Sequence, residues 1–196
     1  MDQENEEVNF EAVLEMLKPN IGMQKPFPLF LISDITEANF SAFMIQLAQA
    51  EHNFKEQGDP FRDIVVKLTS TGGNIGLGFA MYDIMKASPL KFIVETYGYC
   101  CSAAMLPLMG ADYRVASKHC QFLLHEAFMS TEEPMSMNKK NLMDHHKELD
   151  YLFNNYCKVI AKRSKQPVKL IKRLCSEEAT LSAKEALELN LIDKIL

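Results

Sequence analysis

What the 196-residue chain lacks narrows its possible roles first. No apolar run approaches the roughly 20 residues needed to span a bilayer, so no membrane partner is expected. Positive charge is not in excess: 21 Lys and Arg stand against 26 Asp and Glu, a net charge of −5, with no basic cluster. Phosphate-backbone binding draws on clustered cations, so nucleic acid is not an expected partner. The five cysteines (Cys100, Cys101, Cys120, Cys157 and Cys175) are odd in number and match no zinc spacing. They read as buried thiols of a reducing compartment, and no metal site is expected. The opening MDQENEE has neither the positive charge nor the apolar core of a secretory leader, so a cytoplasmic location is expected. No G-x-x-x-x-G-K-[ST] occurs, so the chain carries no phosphate-binding loop of that kind. No cofactor is implied, and neither internal repeats nor low-complexity segments are present.

What is present is an ordinary globular composition, 47 % hydrophobic and 24 % charged, in a chain long enough to bury a core. VNFEAVLEMLK has apolar residues at 8, 10, 13, 14 and 17, a helical spacing, and PNIGMQKPFP breaks it. LFLIS then predicts a buried strand. ITEANFSAFMIQLAQAEHNFKE predicts a long helix with Thr36 as N-cap. A strand over Ile64 to Thr69, a glycine turn and a helix to about Lys86 follow. LKFIVETY, DYRVAS and CQFLLHEAF predict further strands, CSAAMLPLMG a helix that Pro107 should kink or shorten. KKNLMDHHKELDYLFNNYCKVIAKRS predicts one long helix, Ser182 and Glu185 a capping box, and LIDKIL a closing strand. Alternating strands and helices imply crossover units and a largely parallel α/β sheet.

Two turns draw attention within that layout. One is the glycine turn at Thr71, Gly72 and Gly73; the other is GYCCSAAM, which takes a strand into a helix at Ser102. Both lie at carboxyl ends of predicted parallel strands, where open α/β sheets place their sites. Each opens a helix and presents free backbone N–H groups, so the pair can hold an oxyanion in front of Ser102. A serine hydroxyl attacks only when a base takes its proton. The candidates are His125, at the end of QFLLH, and His119, in a polar turn. His145 and His146, among Asp144, Glu148 and Asp150, fit a charged solvated helix face better than a metal site, and His52 reads as surface. GYCCS is not the G-x-S-x-G elbow, and glycine turns also serve packing alone, so a serine that merely fills the turn stays open here.

Four blocks, in order and with fitting spacing, resemble the proteolytic subunit of the ATP-dependent Clp protease. STGGNIGLGFAMYDIMK is similar to its Ser-Pro-Gly-Gly turn and helix, and GYCCSAA to its Gly-x-Ala-x-Ser-Met-Gly nucleophile turn. FLLHEAF resembles its Ile-His-Gln-Pro segment, and LSAKEALELNLIDKIL its C-terminal block. The match runs from about Leu29 to Leu196. It implies a crotonase-like fold, a β-β-α superhelix with parallel sheets and a protruding helical handle at about 128–164. Residues 1–28 would form an N-terminal axial segment and 29–196 the protease domain. The resemblance implies Ser102 as nucleophile, His125 as general base and Glu178 as the orienting acid, with Glu177 one residue out of register. It implies the backbone N–H groups of Gly72 and Ala103 as the oxyanion hole. By the same resemblance the chain would be a serine endopeptidase subunit degrading unfolded polypeptides in a seven-membered ring, stacked in pairs, fed by an AAA+ unfoldase.

The chain also departs from that pattern. Thr71 replaces the turn proline, Ala103-Ala104 the Met-Gly after the serine, and Glu126-Ala127 the Gln-Pro after the histidine. The handle MSTEEPMSMNKKN lacks the family's glycines and carries Pro134, which cannot donate a ladder hydrogen bond. Positions that match the family's unfoldase-docking pocket are Val65, Lys67 and Ala87, a lysine and two small side chains where the family has aromatics. A non-standard partner, a catalytically silent subunit of a mixed ring, and a phage-type protease acting without a chaperone are the alternatives these departures raise. An acyl-CoA enzyme of crotonase type shares the fold but needs no serine and histidine at these positions.

Overall fold

A computed structural model describes residues 30–57, 63–127 and 139–196. The helix expected over residues 8–18 and most of the handle's polar stretch lie outside the described residues. The strands are β1 (Phe30–Ile32), β2 (Asp63–Ser70), β3 (Lys91–Cys101), β4 (Tyr113–Ala116), β5 (Gln121–Leu123), β6 (Thr180–Ser182) and β7 (Lys194–Ile195). The helices are α1 (Glu37–Gln57), α2 (Ile75–Ala87), α3 (Met105–Gly110), α4 (Lys139–Ser164), α5 (Val168–Ser176) and α6 (Ala183–Glu188).

Strands β1 to β3 are joined by helices and run parallel, as the alternation predicts. The order β1-β2-β3-β4-β7 makes the main sheet. In β2 and β3 both faces carry apolar residues, so Ile64 to Val66 and Phe92 to Val94 read as short hydrophobic runs. Ile64, Val66, Leu68, Phe92 and Val94 point into one core shared with all six helices, and alternate residues Val65, Ile93 and Val115 form a second cluster with Tyr113.

Strand β3 is long because it serves two partners in succession. Ile93 to Thr96 pair with β4, and Tyr99 to Cys101 pair with β5 on the same side. Between the two lies Gly98 at φ 65, a left-handed conformation that glycine reaches without a Cβ penalty. On the other side the pairing with β2 jumps from Leu68↔Thr96 to Ser70↔Cys100, so the extra residues of β3 are absorbed there as a bulge. Beyond the fork the same sheet branches: β5 pairs with β3 in parallel and with β6 antiparallel.

The helix ends follow their local chemistry. Thr36 Oγ1 accepts from Asn39 N at 3.2 Å, the N-cap predicted for α1. Ser182 and Glu185 form the predicted reciprocal capping box on α6. Pro107 sits in the first turn of a six-residue α3, where its missing N–H leaves no intrahelical bond unmade, and a 3₁₀ turn over Ser102–Ala104 precedes it. Two arginines, Arg114 buried and Arg163 half-buried, fasten the far end of the sheet. Arg114 grips Asp193 through two nitrogens, at 3.0 and 2.6 Å. Arg163, in the last turn of α4, donates to the carbonyls of Met109 and Ala111.

Candidate active site

Strand register brings Gly72, Ser102 and His125 to one edge. β2, β3, β5 and β6 lie side by side in that order. Ser70 pairs with Cys100, so Gly72 comes beside Ser102. Cys101 pairs with Leu123, so Ser102 leads off next to the segment that carries His125. The antiparallel pairs Gln121↔Ser182, Phe122↔Leu181 and Leu123↔Thr180 continue in Leu124 N–H donating to Ala179 O at 3.1 Å. Continued by count, that register would set Glu178 across from His125, but Glu178 stands in the turn before β6 and the ladder does not reach it.

Ser102 stands at φ 55, a left-handed value uncommon outside glycine. It makes the hinge between an extended Cys101 and the 3₁₀ turn. The sequence lacks the G-x-S-x-G pattern, yet the backbone makes the same kind of sharp strand-to-helix turn, which lifts a side chain off the sheet edge. Two things hold it there. The Tyr156 hydroxyl, on the buried face of α4, donates to Ser102 O at 3.0 Å. Gly72 closes on it from the other side: a Cβ there would lie 2.7 Å from Ser102 Cβ. Gly72 itself has φ 116.

The glycine turn is fastened by Asp34, which sequence reasoning passed over. Its Oδ1 accepts from Thr71 N at 3.0 Å and Thr71 Oγ1 at 2.9 Å. The threonine that replaces the family's proline therefore supplies two donors a proline lacks, and the turn is fixed by hydrogen bonds instead of a ring. Ile35 N donates to Gly72 O, and Asn74 N to Ile35 O, which ties β1's extension to the same turn. Asn74 then caps α2 through Leu77 N at 3.1 Å. The Gly72 N–H donates to Ser70 Oγ at 3.1 Å, so this amide is engaged within its own turn. Ala103 is buried at the start of the 3₁₀ turn.

His125 lies two residues past β5, which ends at Leu123; the longer strand expected through CQFLLHEAF is not formed. Its Nδ1 is 2.6 Å from the Glu126 carbonyl oxygen. A carbonyl only accepts, so Nδ1 is the donor in this contact. Ser102 and His125 face a common cleft of about 680 Å³ walled by the glycine turn and by Leu149 and Leu152 of α4. Glu178, at φ 49 in the turn after α5, is exposed, and among the described residues no hydrogen bond joins it to His125. Glu177 caps α5 and lies 3.9 Å from Arg173. Ser176 Oγ donates to Glu126 Oε1 at 2.5 Å, tying the histidine segment to the end of α5. His119 and His52 are exposed, as expected. His145 and His146 pair with Glu148 and Asp150 on the solvated face of α4. Among the described residues no cluster suits a metal ion.

The positions aligned with the docking pocket differ from each other. Ala87 is exposed and Val65 is buried in the second cluster. Lys67 is not a free surface cation: Nζ contacts Glu95 and donates to Tyr97 Oη at 3.0 Å, and that hydroxyl donates to Glu95 Oε2 at 2.8 Å. Burial alone would lower the lysine, but hydrogen bonds to Glu95 and Tyr97 outweigh it and push it up. Burial pushes the Tyr97 phenol up as well. The pairing Lys67↔Glu95 is a register fact, legible only once β2 and β3 are aligned. All five cysteines are buried, and burial pushes the Cys100 and Cys101 thiols up, as suits core residues and not nucleophiles.

Among the described residues no helix is long and apolar enough to cross a membrane. Residues 21–196 match the Clp protease family. Among solved structures, a point mutant of ClpP1 from Listeria monocytogenes superposes with a TM-score of 0.74 at 19 % identity, covering 86 % of this chain and 90 % of that one.

Proposed function

Because the chain belongs to the Clp protease family, we propose that it is a serine endopeptidase subunit with Ser102 as nucleophile and His125 as general base. The observation that carries this reading is the left-handed Ser102, raised at the strand-to-helix turn into the cleft that also holds the His125 ring. With Nδ1–H given to a carbonyl, the role of taking the hydroxyl proton falls to Nε2 in this reading. Attack on a peptide carbonyl then puts negative charge on its oxygen. Ala103 N–H, at the head of the 3₁₀ turn, is one donor for it. Gly72 N–H is the second, once Ser70 Oγ turns away; Gly73 offers the adjacent amide of the same turn. Glu178 is the proposed orienting acid. Its place by count across from His125 favours it, and taking Nδ1–H from the Glu126 carbonyl requires that its side chain fold inward from solvent.

Self-association into a heptameric ring, pairing of rings and feeding by an AAA+ unfoldase are part of this reading, with residues 1–28 as the axial segment and 128–164 as the handle. At the docking positions Val65, Lys67 and Ala87, the neutralised Lys67–Glu95–Tyr97 cluster favours a partner loop other than one made for an aromatic pocket. A catalytically silent ring subunit is the second reading, favoured by the outward Glu178 and by the Gly72 amide held by Ser70. The test is labelling with a fluorophosphonate, read by intact mass, on wild type, Ser102→Ala and His125→Ala. One adduct lost in both variants is the expected result. An oligomeric wild type that takes no adduct overturns the peptidase reading in favour of the silent subunit.

A further inference from the structure

Beside Ser102, sharing Ile75, His125 and Ala127 with the main cleft, lies a smaller hole of about 20 Å³. It is lined by Ser102, Ala103 and His125 on the reacting side and by Ile75, Ala127, Phe153 and Tyr156 on the other, and it is open at its mouth. That volume admits a single water-sized group. Resting on the serine-peptidase reading above, we propose that Phe153 and Tyr156 restrict cleavage to bonds that follow small residues, of alanine size, and exclude leucine-sized and aromatic side chains there.

The argument is one of placement. A carbonyl attacked by Ser102, with its oxygen turned to Ala103 N–H, must put its own side chain into the space that Ser102, Ala103 and His125 bound together. The hole is that space; Ala103 does not line the main cleft, which runs instead over the Gly73–Asn74 turn and suits the peptide's main chain. The hole also resists widening. Tyr156 is buried, and its hydroxyl is bound to Ser102 O, so turning the ring aside would release the backbone that presents the nucleophile. Ile75 and Phe153 both pack against the main core. An isobutyl or benzyl group therefore has to displace packed side chains, whereas a methyl group does not. A single methylene in a hydrophobic pocket already discriminates by about 10–200-fold.

The test uses the full chain and peptidyl diphenyl phosphonates identical except for the side chain on the carbon bearing phosphorus: methyl, isobutyl or benzyl. Ser102 Oγ forms the O–P bond, one phenoxide leaves, and the hydroxyl proton passes through His125 to the phenol. Labelling rates are read by intact mass, with a simple fluorophosphonate, which carries no such side chain, as reference. The methyl probe is expected to label wild type at least tenfold faster than the isobutyl or benzyl probe. In Phe153→Ala the isobutyl probe should gain at least tenfold relative to the methyl probe. Equal rates, or a faster isobutyl probe, in wild type overturn the proposal while fluorophosphonate labelling leaves the peptidase reading standing; this arm needs no variant. No labelling by any probe, the fluorophosphonate included, overturns both together.

Discussion

Two glycines at positive φ separate backbone strain from the fit around Ser102. Gly98 has φ 65, and a Cβ added there meets nothing nearer than Thr69 Cγ2 at 3.6 Å, an ordinary contact. Gly98→Ala therefore incurs only the left-handed penalty of about 1–2 kcal/mol. In a domain of this size that is a fall of roughly 2–8 °C in the thermal midpoint. Gly72→Ala adds a second effect. Its φ of 116 lies outside the left-handed region, and the new Cβ stands 2.7 Å from Ser102 Cβ and 3.1 Å from Cys101 O. Restoring an ordinary contact of 3.4 Å moves the serine by about 0.7 Å, against the hold of Tyr156 on its carbonyl. A displacement of about 1 Å costs a catalytic site on the order of 100-fold. Gly72→Ala is thus expected to slow fluorophosphonate labelling on the order of tenfold to 100-fold, while Gly98→Ala labels within a few-fold of wild type. The rate constant of adduct formation and the thermal midpoint, measured on all three proteins, separate the effects. Wild-type labelling by Gly72→Ala, or equal loss in both variants, would refute the claim that this glycine sets the serine's position.

The Arg114–Asp193 pair gives a pH signature. Burial would raise the Asp193 carboxyl, but the hydrogen bonds and charge of Arg114 hold it below its ordinary 3.8. Its contribution is therefore complete above the ordinary Asp range and is lost as pH falls through the depressed folded value. Asp193→Asn should cost about 1–2 kcal/mol in urea at pH 7 and flatten the acid limb, because it removes the carboxylate charge from Arg114 while Asn190 O still accepts from the guanidinium. Lys67→Met should cost about 3 kcal/mol by stranding buried Glu95, and adding Glu95→Gln should recover most of it in a denaturant double-mutant cycle. The raised lysine keeps its contribution through neutral pH and loses it only as pH rises through a value above 10.5. With all five thiols buried, a maleimide should add to the folded protein slowly and to the unfolded chain five times.

The sequence was most legible where local chemistry decides the structure. The Thr36 cap, the Ser182–Glu185 box, the strand-turn-helix at Gly72 and the short helix at Pro107 each follow from a few neighbouring residues, and each stands in the structure. The long α4 follows from its periodicity. The family blocks carry the fold, which the match over residues 21–196 bears out. Features that depend on register were not legible. Lys67 finds Glu95 and Tyr97 only because two strands align, and Asp34 reaches Thr71 across 37 positions of chain. Tyr156 looks like one more apolar position of a helical stripe until its hydroxyl is seen on Ser102 O. The left-handed angles of Ser102 and Glu178 carry no glycine or asparagine to announce them. The strand through His125 was expected too long, because an apolar run does not reveal that pairing stops where β6 gives way to the turn at Glu178.

The fork in β3 divides the mechanical duties of the site between two unequal bodies. Ser102 and Gly72 inherit the stiffness of the broad sheet, whose strands β2 and β3 pair over most of their length. His125 inherits that of an outrigger held to β3 by three residues, with β6 as its other strand neighbour among the described residues. Positional error in the nucleophile is set by the whole core, and positional error in the base by a hairpin-sized extension. A force applied to α5 or its following turn reaches the base directly, through Leu124 N–H on Ala179 O and Ser176 on Glu126.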